Sequence, residues 1–146
     1  MENLQAAEET PAQSMQSYIV NNQINIFFSY SLEFSLQFPL SLVYIYFAYQ
    51  SVWFYKANCF TSSLLITNGL AMFLYSSAVF GEILTAKSLL NADLADTTEA
   101  YKNYVAAIGV QWWFGLYATF SYTISHWIFA FKYWTLALKV ELLKKG

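Results

Sequence analysis

The chain has 146 residues, 58% hydrophobic, 21% aromatic and only 11% charged, with a net charge of −2 and no arginine. Nucleic-acid binding needs a concentrated basic surface and is excluded; a charge content far below the roughly 25% of water-soluble domains argues against an aqueous surface. The single cysteine, Cys59, excludes an internal disulfide.

Residues 1–17 carry Glu2, Glu8 and Glu9 with no basic residue. They lack the basic start and apolar run of a secretory signal and read as a disordered acidic tail. Residues 18–38 mix Ile and Phe with Asn21, Asn22, Gln23, Asn25 and Glu33. That polar load is costly at bilayer depth, so this stretch is expected to be an amphipathic lead-in at the membrane interface or an extension of the first span. Pro39 removes a backbone donor and restricts Phe38, which marks a boundary.

Residues 39–146 read as a transmembrane helical domain. Residues 40–55 and 61–81 contain no acid, lysine or histidine, and 104–131 hold only His126. A helix needs roughly 17–25 apolar residues to cross a hydrocarbon core about 30 Å thick. The spacing predicts spans at about residues 36–56, 61–84 and 105–131. The expected fold is therefore an all-α integral membrane bundle of three helices. A rival with four spans makes residues 18–36 a separate helix, but it leaves no room for a turn before Pro39. Lys56-Ala57-Asn58-Cys59 reads as a short turn between antiparallel neighbours. Residues 85–103 read as a longer connection holding Asp93, Asp96 and Glu99, with a short surface helix suggested by Leu89, Leu90 and Leu94.

Lysine placement sets the orientation, since cytoplasmic loops carry the excess of basic residues. Lys56, Lys132, Lys139, Lys144 and Lys145 fall on one side and Lys87 and Lys102 on the other. The N-terminus is expected outside and the C-terminus in the cytoplasm. The third stretch is 28 residues from Tyr104 to Phe131. That makes about 42 Å of helix, longer than the core, so it is expected to protrude, with Lys132, Tyr133 and Trp134 at headgroup level.

Each span carries a row of small or polar residues at steps of three, four or seven, which keeps them on one helix face. The first row is Gln37, Ser41, Tyr44, Ala48, Ser51 and Tyr55. The second is Thr61, Asn68, Tyr75 and Glu82, and the third is Gln111, Gly115, Thr119, Tyr122 and His126. Lipid gives helices no hydrophobic push toward each other, so close backbone approach and interhelical hydrogen bonds must hold them. The preferred reading of the rows is helix packing, and the sharper one is a polar path between helices. Asn68, Tyr75, Glu82, Gln111, Thr119, Tyr122 and His126 are the candidates for either. Ser77 and Gly81 form a further small-xxx-small pair.

Glu82 is an acid inside a span and a functional candidate by default, although its place near the outer end favours an interfacial acid. His126 lacks Cys, Asp or Glu partners at metal-ligand spacing, so no metal site is expected within one chain, and no cofactor motif is present. It reads as a hydrogen-bonded packing residue. Catalytic groups gathered at depth are missing from the sequence, so no enzymatic activity is expected. Cys59, beside Lys56, sits where palmitoylation occurs, with a free thiol the preferred reading.

The segment Ser125-His126-Trp127-Ile128-Phe129-Ala130-Phe131-Lys132-Tyr133-Trp134 resembles one that recurs in a family of uncharacterised multi-pass membrane proteins of ciliates. The resemblance implies a larger bundle of about seven helices, of which this chain is the first three. It carries no activity with it. The expected function is a non-enzymatic membrane component that binds partner helices within the bilayer through polar helix faces. The alternative is a channel or transporter subunit, with Asn68, Gln111 and His126 lining a path and Glu82 at its outer mouth.

Overall fold

The computed structural model describes residues 9–53 and 59–145. Among these residues there are four helices and no strand: α1 (Pro11–Asn21), α2 (Gln23–Trp53), α3 (Cys59–Leu90) and α4 (Thr97–Lys145). Two of them, α2 and α3, are long and apolar enough to cross a membrane. At 49 residues α4 is long enough too, but much of its bulk is Trp and Tyr, which are less apolar than Leu or Ile, and it falls below the hydropathy of the other two.

Helix α1 corrects the disordered tail over residues 11–17; residues 1–8 lie outside the described residues. The local cause is Thr10-Pro11-Ala12-Gln13. The Thr10 backbone N–H donates to Gln13 Oε1 at 3.0 Å, and the Gln13 N–H donates back to Thr10 Oγ1 at 3.4 Å. This is a capping box with proline at the first helical position, where a missing N–H costs nothing. The helix ends at Asn22, whose backbone N–H and side-chain Nδ2 both donate to Tyr18 O.

Residues 18–38 are accordingly not one lead-in. They are the end of α1, the Asn22 junction and the first half of α2. Pro39 is not a boundary either, because α2 runs through it without a break. Proline withholds one donor from the ladder, and the ladder resumes beyond it; around this position Ser41 Oγ donates to Phe38 O at 2.6 Å. Of the expected turn Lys56-Ala57-Asn58-Cys59, residues 56–58 lie outside the described residues, as does Tyr55 of the first row, and Cys59 begins α3. The long connection shrinks: α3 continues to Leu90, and α4 begins at Thr97. The turn between them is closed by Asp93, whose carbonyl accepts from the Asp96 and Thr97 N–H groups and from Thr97 Oγ1. Glu99 then sits in the first turn of α4, where the helix dipole favours an acid.

The chain forms two compact units. The first takes the described residues up to Leu36 together with Ser76–Trp112, and the second takes the described residues of Gln37–Tyr75 and Trp113–Gly146. In the first, Ile19 of α1 packs into a core with Ala86 and Leu89 of α3 and Ala100 and Tyr104 of α4. Gln16 Nε2 donates to Ala92 O at 2.9 Å and, at 3.0 Å, to Leu89 O, which also accepts from the Ala92 N–H at 3.3 Å. Phe34 of α2 meets Phe80 of α3 with ring centres 5.6 Å apart. In the second unit, α2 and α3 approach closely at Gly69. A Cβ there would lie 2.7 Å from Ile45 Cγ1, 3.2 Å from Ile45 N and 3.4 Å from Ser41 O. Small residues at such a crossing let two backbones approach.

Candidate functional site

The polar groups of the second unit form a seam along α3. Ser51 of α2 and Ser62 of α3 share a buried hydrogen bond of 2.9 Å. Ser51 Oγ also lies 2.8 Å from the Ala48 carbonyl, to which it donates. Further along, Ser121 Oγ of α4 donates to Asn68 Oδ1 at 2.8 Å. Asn68 is 1% exposed, and its Nδ2 has no hydrogen-bond partner among the described residues. Tyr75, half-buried, places its ring edge 3.1 Å from where a Cβ on Gly115 would stand.

The first-helix row is therefore an internal face, with Ser41, Ala48 and Ser51 all buried. The second row behaves in the same way: Asn68 and Glu82 are buried, and Thr61 and Tyr75 are half-buried. The third row is corrected after Gly115. Thr119, Tyr122 and His126 are exposed, and the inward residues of α4 are instead Ser121 and Ser125. His126 keeps a hydrogen-bond contact between its Nδ1 and Tyr122 O at 2.9 Å, and its ring centre lies 3.8 Å from that of Tyr122 with the planes tilted by 37°. His126 is exposed, whereas Asn68 is buried. His126 borders an open apolar groove along α4 with Trp127, Ala130, Phe131 and Trp134. At the Ser77–Gly81 pair, a Cβ on Gly81 would meet no atom within 4 Å. Cys59 is exposed at the start of α3.

The first unit holds a second polar centre. Glu82 is 1% exposed, yet its Oε2 has no hydrogen-bond partner among the described residues. Tyr30 of α2 and Tyr104 of α4 share a hydrogen bond of 3.1 Å between their hydroxyls. Tyr30 lies within electrostatic reach of Glu82, Tyr104 and Glu33, and Glu33 is within reach of Glu82. Gln111, half-buried, belongs to the same unit. Neither Tyr30 nor Tyr104 stood out in the sequence, because two tyrosines among twelve carry no spacing signal. Among the described residues, no group of three or more His, Cys, Asp and Glu side chains converges to hold a metal ion.

No protein-family model, curated protein or solved structure matches this chain.

Proposed function

We propose that this chain is a non-enzymatic, multi-pass integral membrane protein that assembles with other membrane helices. One observation carries the reading: polar side chains are buried between the helices while many large apolar side chains face outward. Ser41, Ser51, Ser62, Asn68, Ser76, Glu82 and Ser125 are buried. Outward-facing positions are held by large apolar side chains such as Leu42, Phe47, Ile66, Phe80, Trp113 and Phe120. Water would penalise such a surface strongly, whereas hydrocarbon solvates it, and buried polar groups supply the interhelical bonds that lipid cannot. In this reading the spans lie in α2, in α3 and in about residues 105–131 of α4, with the N-terminus outside and the C-terminus cytoplasmic.

The partner surface is the exposed row of α4. Thr119, Tyr122 and His126 sit on one helix face among apolar neighbours. Polar groups at membrane depth are stabilised when another helix covers them. Gly115, by contrast, is occupied by the chain's own Tyr75, so enlarging it probes folding and not association.

Two measurements test this in native membranes. The chain should resist extraction by alkaline carbonate; release into the soluble fraction would overturn the membrane reading. A photo-cross-linking amino acid at position 119 or 126 should yield larger adducts, while one at the inward-facing position 62 should not. A strictly monomeric chain without adducts at 119 and 126 would remove the association.

A further inference from the structure

The unpartnered oxygen of Glu82 calls for an account that helix packing does not supply. The carboxyl is almost fully enclosed, and its Oε2 meets no donor among the described residues. A buried carboxylate without a counter-charge is strongly unfavourable. The lysines of this unit offer none, since Lys87 and Lys102 are both exposed. Glu33 on α2 is within electrostatic reach of Glu82, and Tyr30, within reach of both acids, shares a 3.1 Å hydrogen bond with the Tyr104 hydroxyl. Two carboxyl groups and two phenols from three helices are hard-oxygen donors, the chemistry that selects alkali and alkaline-earth cations over softer metals.

We propose that Glu82, Glu33, Tyr30 and Tyr104 form a binding site for a monovalent alkali cation, with the buried Glu82 carboxylate as its counter-charge. Charge selects the monovalent ion. Only Glu82 of the two acids is fully buried, Glu33 being half-exposed. One positive charge neutralises the enclosed carboxylate, whereas a divalent ion leaves an uncompensated charge in an apolar bundle unless Glu33 gives up its hydration. The phenol hydroxyls contribute lone pairs without adding charge. The site lies within this chain and does not rest on association with partner helices.

The test uses the full chain in detergent micelles and a hydrophobic carbodiimide, which modifies a protonated carboxyl in apolar surroundings. Modification of Glu82, located by mass spectrometry, is compared in sodium chloride and in N-methylglucamine chloride of equal ionic strength. Sodium should slow it, by about tenfold at ten times the dissociation constant, because the unoccupied fraction falls as 1/(1 + [L]/Kd). Glu82→Gln should remove the modified site. Tyr104→Phe keeps the ring in the core, removes one oxygen and should shift protection to higher sodium. Equal labelling rates with and without sodium would overturn the proposal and leave Glu82 as a carboxyl neutralised by its own proton. Protection by calcium at concentrations where sodium gives none would overturn the monovalent assignment.

Discussion

Replacing Gly69 by alanine isolates the close approach of α2 and α3 in the second unit. The new methyl group would stand 2.7 Å from Ile45 Cγ1, with Ile45 N at 3.2 Å and Ser41 O at 3.4 Å behind it. Ile45 Cγ1 cannot simply swing away, because a β-branched side chain in a helix has essentially one χ1 rotamer. The other two atoms are backbone and move only with α2 itself. The helices must therefore separate by a few tenths of an ångström, and overpacking of this kind costs about 1–3 kcal/mol. Alanine returns at most about 1 kcal/mol through helix propensity. The expected net loss is about 1 kcal/mol, roughly a fivefold change in the folding equilibrium. The separation also stretches the rest of the seam, where Ser51 and Ser62 bond at 2.9 Å and the rings of Phe38 and Phe73 lie 6.0 Å apart. Gly109→Ala is the control, since a Cβ there meets nothing within 4 Å; only the propensity gain applies. Unfolding in mixed micelles of mild detergent and dodecyl sulfate, followed by tryptophan fluorescence and near-ultraviolet circular dichroism, measures both. A Gly69→Ala midpoint raised as far as that of Gly109→Ala would refute the steric argument.

Asn68 and Ser121 should couple. Ser121→Ala leaves Asn68 enclosed with both ends of its amide unpaired, so a double-mutant cycle with Asn68→Ala is expected to give about 0.6 kcal/mol or somewhat more; additive single effects would place the hydrogen bond elsewhere. Gln16→Ala removes the side-chain donor to the Ala92 carbonyl and the second donor to the Leu89 carbonyl, at a cost of about 1 kcal/mol. Hydrogen exchange should then quicken at the end of α3 and in α1, with the second unit unchanged; uniform exchange across the chain would contradict a local role.

Helix as the secondary structure was legible from charge-free stretches far longer than a strand, and so were the inward faces of α2 and α3. Ser41, Ala48 and Ser51 recur at steps of seven and three, as do Asn68 and Glu82 at two steps of seven, because a helix returns to the same face at those intervals whatever surrounds it. The Thr10-to-Gln13 capping box was also written in the sequence as Thr-x-x-Gln with proline between, but the acidic composition around it masked the signal. Tertiary structure decided the rest. Beyond Gly115 a helical period admits a step of three or of four, and the two routes diverge to Ser121 and Ser125 or to Thr119, Tyr122 and His126. Both rows are polar, so composition does not choose; the Asn68 side chain does, by accepting a hydrogen bond from Ser121 and turning the other row outward. The Tyr30–Tyr104 pair has the same origin. Its two phenols are separated by 74 positions, and only the packing of α2 and α4 in the first unit brings their hydroxyls together.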